Sequence, residues 1–146
     1  MKKAILTTIL VLTLAGIADS AYALYEHYLP PDVSACDVNE TVSCTAVNQS
    51  SYSVVAGIPV AAFGMAGYAL LAFLAGAILI NRGPSRFWRR LLLLASLAAL
   101  AVSLALTYVE LFVLGAVCPL CVTSLALVVA ITLLAFIFVA RSRRAA

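Results

Sequence analysis

The stretch LGAVCPLCVTS, Leu114–Ser124, sets two thiols three residues apart between two apolar runs, and its reading decides how the chain folds. Gly115-Ala116-Val117 leaves room for only a very short connection, so the runs on either side, Leu91–Leu114 and Leu120–Ala140, are expected to form an antiparallel helical hairpin. If a helix begins at this point, Pro119 takes the first helical position, where its missing N–H costs nothing. Cys118 then sits at the positive end of the helix dipole, a location that lowers a thiol pKa and makes a thiolate available. Cys121 lies about one turn deeper on the same side, where a buried organic acceptor can reach it. Packing alone asks for no such pair.

Two further apolar runs, Ala4–Leu24 and Ile58–Ile80, bring the number of membrane-length segments to four, each able to cross roughly 30 Å of hydrocarbon as a helix. With 65% hydrophobic and 10% charged residues in 146, the chain is too apolar for a soluble domain of its size. The expected fold class is an all-α integral membrane protein. A four-transmembrane-helix bundle forms one domain over residues 1–146, with the outer loop at 25–57. Within that loop Thr45–Val55 is expected to form a short outer-face helix leading to Pro59. Small residues four apart, Ala62 and Ala66, then Ala72 and Gly76, suit close packing of the second span on a neighbour.

Charge sets the orientation. All nine basic residues fall in three clusters: Lys2 and Lys3; Arg82, Arg86, Arg89 and Arg90; and Arg141, Arg143 and Arg144. Four of the six acidic residues, Glu26, Asp32, Asp37 and Glu40, lie between the first two runs or at their edge. By the positive-inside rule both termini are cytoplasmic, in a cell inner or plasma membrane, and the cysteines face the outer side. Short basic flanks of this kind are topology signals, so membrane lipid is expected as a partner and nucleic acid is not. Asn81–Arg90, NRGPSRFWRR, reads as a cytoplasmic turn broken at Gly83-Pro84, with Trp88 at the interface. The first run also fits a removable signal peptide, with Ala21-Tyr22-Ala23 as an A-x-A site. Retention is the reading taken here, because the run approaches a full span and a redox bundle needs four walls.

Cys36, Cys44, Cys118 and Cys121 all map to the outer side, where an oxidising compartment lets disulfides persist. An even count on one face suggests two pairs, most simply Cys36 with Cys44 and Cys118 with Cys121. For Cys36 and Cys44 an inert loop disulfide and a redox pair both fit the eight-residue separation. For Cys118 and Cys121 the C-x-x-C spacing at a helix start favours redox chemistry. A four-cysteine zinc site is disfavoured, since two ligands would lie in or near hydrocarbon, and no metal is expected. Haem attachment is disfavoured because Val122 follows Cys121 where that motif needs His.

CDVNETVSCTAVNQSSYSVVAGIPVAAFG, followed much later by LGAVCPLC, resembles the vitamin K epoxide reductase family in its bacterial and archaeal branch. The shared features are the loop cysteines Cys36 and Cys44, the hydroxyl residue Ser50 six positions past Cys44, Gly57-Ile58-Pro59 ahead of the second span, and the C-x-x-C pair opening the last helix. The resemblance implies a membrane thiol oxidoreductase built as a four-helix bundle around a quinone of the menaquinone, ubiquinone or phylloquinone type. It makes Cys118 and Cys121 the active-site pair, with Cys121 acting on the quinone. Cys36 and Cys44 become the shuttle pair, Cys44 passing electrons to Cys118 through a transient disulfide. Since no thioredoxin-like domain is seen before Ala146, the resemblance implies a separate thioredoxin-like partner on the outer face.

Candidate quinone contacts are Ser50, Ser51, Phe63 and Tyr68, with Met65 beside them. The Asn and Tyr that hold vitamin K in vertebrate members find no match here, and Leu125 stands seven past Cys118. DsbB-type proteins are similar in size and chemistry, yet carry their C-x-x-C in the first outer loop. Glu110, near the end of the third span, either delivers protons to a reduced quinone or reaches out to water. Asp19 in the first span either lies toward the bundle interior or sits near the outer boundary, and the single His27 reads as an interfacial residue. A different class of function, a tetraspan scaffold with two structural disulfides, predicts no quinone turnover.

Overall fold

The computed structural model describes residues 1–30, 33–80 and 86–144. Among the described residues, four helices are long and apolar enough to cross a membrane. They are α1 (Lys2–His27), α3 (Val60–Ile80), α4 (Arg86–Val109) and α5 (Pro119–Arg144), with a short α2 (Cys44–Asn48) between the first two. α1 packs most extensively on α3; α3 touches α4, α4 packs on α5, and α5 returns to α1, closing a ring of four. Arg141 Nη1 lies 3.6 Å from Met1 Sδ, so the start of α1 and the end of α5 share one end of the bundle. The cysteines gather at the other. The expected turn at residues 81–85 and the Pro31 and Asp32 positions lie outside the described residues.

The core follows from which faces meet. Leu6, Ile9, Leu71, Leu74, Ile78, Leu92, Ile131 and Phe138 are buried together along the ring's axis. Thr132 Oγ1 donates to the Ser96 carbonyl at 3.1 Å, joining α5 to α4 where both residues are buried. The outward faces are as apolar as the inward ones: Phe73, Leu94 and Phe136 are each more than 60% exposed. A helix that is hydrophobic all round needs lipid or protein on every side.

Each expected span appears, with shifted ends. The first begins at Lys2 and runs to His27. The second starts at Val60 because Ile58-Pro59 is taken by a strand. The third begins at Arg86, five residues before Leu91, and its last turn, Glu110–Leu114, is π-helical. Gly115 closes it in the left-handed conformation, φ 65°, which glycine adopts without a Cβ penalty. The fourth extends from Pro119 to Arg144.

The expected helix at Thr45–Val55 is instead three pieces. α2 ends at Asn48, Ser51–Ser53 forms a 3-10 turn, and Val54–Val55 pairs antiparallel with Ile58–Pro59. Hydroxyl groups break the helix locally: Ser50 Oγ donates to the Val47 carbonyl at 2.8 Å and Ser53 Oγ to the Ser50 carbonyl at 2.7 Å. Ala56 and Gly57, both at positive φ (53° and 81°), make the two-residue turn that suits a tight hairpin.

Between Cys36 and Cys44 the chain folds on its own side chains. Asn39 Oδ1 accepts the N–H groups of Thr41 and Val42 at 2.9 and 2.8 Å, and Val38 N–H donates to the Val42 carbonyl at 2.9 Å. Ser43 caps α2 by accepting the Ala46 N–H at 3.0 Å. Asp37 accepts from Ser43 Oγ at 2.8 Å and from Thr45 N–H at 3.0 Å. Hydrogen bonds from Thr45, side chain first, hold the Asp37 carboxyl below the usual carboxylate range.

Gly16 of α1 faces the Tyr68 ring of α3, and a Cβ built there would overlap that ring. Overpacking of this kind costs about 1–3 kcal/mol. Gly16→Ala is therefore expected to lower the unfolding midpoint of the detergent-solubilised protein and to displace the Tyr68 ring. An unchanged midpoint would show that the two helices do not meet this closely.

Candidate functional site

Two peptide hydrogen bonds tie the loop to the hairpin. Val117 N–H donates to the Thr41 carbonyl at 2.8 Å, and Ser43 N–H donates to the Val117 carbonyl at 3.2 Å. Val42 and Val117 thus form a parallel bridge, and the residues that follow each strand segment, Cys44 and Cys118, are brought side by side. Their sulfurs lie 3.4 Å apart, and neither residue is solvent-exposed. Cys36 and Cys44 form a disulfide, whereas Cys118 and Cys121 are free thiols. One expected pair is therefore present as a disulfide and the other as a dithiol. Val47, Ala116, Leu114 and Leu120 pack around the sulfurs as a small apolar cluster, separate from the main core.

Cys118 immediately precedes α5, as the reading of Pro119 at the first helical position requires. Its thiol is held below its ordinary range, first by the hydrogen bond from the Cys121 thiol and then by main-chain N–H groups of Cys121 and Leu120. Burial and the Glu110 carboxylate oppose that shift without reversing it. The Asn48 side-chain amide adds a donor 3.9 Å from the Cys118 sulfur. Sequence reading passed over Asn48, although its position four residues after Cys44 puts both on one face of any helix there.

Glu110 is buried at the first residue of the π-helical turn. Its carbonyl accepts the N–H groups of Gly115 and Ala116, and its Oε2 lies 3.5 Å from the Cys118 N–H. The side chain also meets the Cys121 thiol. Of the two roles open to Glu110, reaching out to water is excluded by this burial. A π-helical turn is uncommon and occurs often at functional sites.

Beneath the sulfurs lies a cavity of about 350 Å³ between the helices. Cys121, and not Cys118, lines it, together with Glu110 and Leu114 at the same end. Ser50, Phe63 and Tyr68 are in its wall; Ser51 is not, because it opens the 3-10 turn and is exposed. Tyr68 Oη donates to the Ser124 carbonyl at 2.9 Å and lies 2.8 Å from Ser124 Oγ, one turn below Cys121. Asp19 and His27 also line the cavity. His27 is more than an interfacial residue, since its Nδ1 donates to the Asn48 carbonyl and ties α1 to α2.

The sulfurs of Cys36, Cys44 and Cys118 fall within 4.8 Å of one another, a spacing a metal ion also uses. Two of the three are bonded to each other, so the cluster offers a single free thiol. Zinc needs four N, S or O ligands in a closed site, with its thiols deprotonated. The donor set fits sulfur exchange and not metal binding.

No curated protein matches the chain. The model of the vitamin K epoxide reductase family matches residues 7–136, a span that includes all four cysteines and most of every long helix. That match covers most of the sequence, and the chain belongs to the vitamin K epoxide reductase family, a membership that brings a membrane redox function with it.

Proposed function

We propose that the protein is a membrane thiol:quinone oxidoreductase that oxidises a separate thioredoxin-like protein and so supports disulfide formation outside the cytoplasm. The observation that carries this reading is the 3.4 Å approach of the Cys118 sulfur to the Cys36–Cys44 disulfide, with Cys121 facing the cavity behind it. Basic residues at the opposite end of the bundle support a cytoplasmic location for both termini and an outer location for the cysteines.

The exchange begins with the helix pair as a disulfide. Cys36 is partly exposed and Cys44 is buried, so a reduced partner attacks Cys36. Cys44 leaves as a thiolate and attacks Cys118, forming a Cys44–Cys118 disulfide and releasing Cys121, which takes up one of the protons given up by the partner's thiols. The partner's second thiol resolves its bond to Cys36 and departs oxidised. Cys36 then attacks Cys44, restoring the loop disulfide and freeing Cys118. Two electrons have moved to Cys118 and Cys121, and the arrangement reached is a loop disulfide beside a free dithiol.

The cavity's volume falls in the range of small-molecule sites, and its wall is largely apolar with a few polar groups, which suits a quinone ring. A quinone bound there supplies a sink for two electrons and two protons. Cys121 presents its sulfur to the cavity, and Cys118 closes the disulfide with it as the electrons leave. Glu110, against the Cys121 thiol, accepts the proton that this sulfur gives up and holds it at the cavity wall. Tyr68 and Ser124 form a hydroxyl pair that orients the ring, and Ser50 and Phe63 complete the wall beside them.

Quinone reduction by purified protein, with a small dithiol as donor, is the deciding assay. Cys118→Ala and Cys121→Ala are each expected to abolish it. Cys36→Ala and Cys44→Ala should keep dithiol-driven turnover while losing turnover with a thioredoxin-like donor. Equal effects from all four changes, or no turnover by folded wild type with several quinones, would return the two pairs to structural staples.

Glu110→Gln retains an acceptor for the Cys118 N–H and removes the group that takes a proton. It is expected to slow single-turnover quinone reduction by about a hundredfold or more. Oxidation of the partner by the loop pair should persist in the same protein. A wild-type rate of quinone reduction would remove Glu110 from proton transfer.

A further inference from the structure

The Cys44–Cys118 bond that the proposed relay requires can resolve in two directions. Attack by Cys36 on Cys44 expels Cys118 and carries electrons toward the cavity. Attack by Cys121 on Cys118 expels Cys44 and sends them back. In thiol exchange the sulfur better stabilised as a thiolate leaves faster. The forward direction therefore depends on which of two buried sulfurs, 3.4 Å apart, is better supplied with hydrogen-bond donors.

The supply is unequal. Among the described residues the Cys44 sulfur accepts a hydrogen bond only from Cys118. The Cys118 sulfur faces the α5 main-chain N–H groups and, from the loop side, the Asn48 amide at 3.9 Å. Asn48 lies one helical turn after Cys44, and both side chains are buried against the hairpin. The helix end that carries the amide is tied down through its main chain: the Asn48 backbone carbonyl takes the His27 Nδ1–H, and the neighbouring Gln49 Nε2 donates to the Leu29 carbonyl at 2.7 Å. The same short helix that presents Cys44 thus brings a donor for the sulfur that Cys44 attacks.

We propose that Asn48 is a catalytic residue that sets the direction of sulfur exchange by donating its side-chain N–H to Cys118 as that sulfur leaves the Cys44–Cys118 disulfide. The bond broken is Cys44–Cys118 and the bond formed is Cys36–Cys44. The departing electron pair stays on Cys118, where the amide meets it. A neutral amide suits this task, since a carboxylate would repel the thiolate and an apolar side chain would leave it without a donor from the loop. Buried hydrogen bonds to charged groups are roughly twice as strong as those between neutral ones.

The inference rests on the relay proposed above, and one experiment tests the two separately. In the full-length Cys36→Ser/Cys121→Ser protein, Cys44 and Cys118 are the only cysteines, and oxidation is expected to join them. Failure of that disulfide to form in folded protein would overturn the relay and the role of Asn48 with it. Where it forms, the disulfide is cleaved with 2-mercaptoethanol, and peptide mass spectrometry locates the adduct. An adduct on Cys44 records departure of Cys118, and an adduct on Cys118 records departure of Cys44. With Asn48 present, Cys44 adducts are expected to dominate. Asn48→Leu should shift the ratio toward Cys118 by about tenfold. Asn48→Asp, which keeps the size of the side chain, should shift it at least as far and serves if the leucine variant does not fold. An unchanged ratio in either folded variant would overturn the proposal.

Discussion

The peptide bridge between Val117 and the Thr41–Ser43 segment is the constraint on which the site depends. Each cysteine that must meet lies just beyond it, Cys44 one residue after Ser43 and Cys118 one residue after Val117. Main-chain hydrogen bonds fix positions more tightly than long side chains do, since only two soft dihedrals per residue separate the bond from the sulfur's own backbone. The loop's internal bonds, Asn39 to Thr41 and Val42 and Asp37 to Ser43 and Thr45, stiffen the segment before it reaches the bridge.

From that bridge the chemistry runs down a gradient of exposure. Cys36 is partly exposed, Cys44 and Cys118 are fully buried, and Cys121 opens onto the cavity. In the proposed function, a thiol protein and a membrane-dissolved acceptor would meet opposite ends of the same sulfur chain and never each other. The apolar cluster around the sulfurs has a second effect. Low local dielectric makes each hydrogen bond to sulfur count for more than it would in water, and makes an unsupported thiolate correspondingly costly. Donor placement at Cys118, and its scarcity at Cys44, thereby become the variables that set where charge rests.

Much of this was legible in the sequence for physical reasons that differ from element to element. The four spans were readable because hydrocarbon thickness fixes their length and leaves composition as a strong signal. Pro119 marked the start of α5 because it is tolerated there and few other helical positions accept it. What escaped was set by local competition or by contacts distant in sequence. Ser50 and Ser53 divert the chain after α2 by bonding to nearby carbonyls, so a helix expected over Thr45–Val55 stops at Asn48. The π-helical turn at Glu110 has no composition signature, since it depends on where Gly115 and Ala116 send their N–H groups. Ser51, a candidate contact beside Ser50, stands outside the cavity wall, since one residue in a 3-10 turn is enough to rotate a side chain away from it.

The π-helical turn also explains why the hairpin can be so short. An α-helix closing at Leu114 would leave its final carbonyls pointing past the connection toward the sulfur cluster, unsatisfied in an apolar setting. Drawing both Gly115 and Ala116 N–H groups back to the Glu110 carbonyl turns the chain within a few residues. The Glu110 side chain then reaches forward to the Cys118 N–H, one of the donors left open at the start of the next helix. One residue thus closes α4 with its main chain, meets the opening of α5 with its carboxylate, and stands against Cys121. A connection long enough to solvate those ends separately would have moved Cys118 away from the bridge, and with it from Cys44.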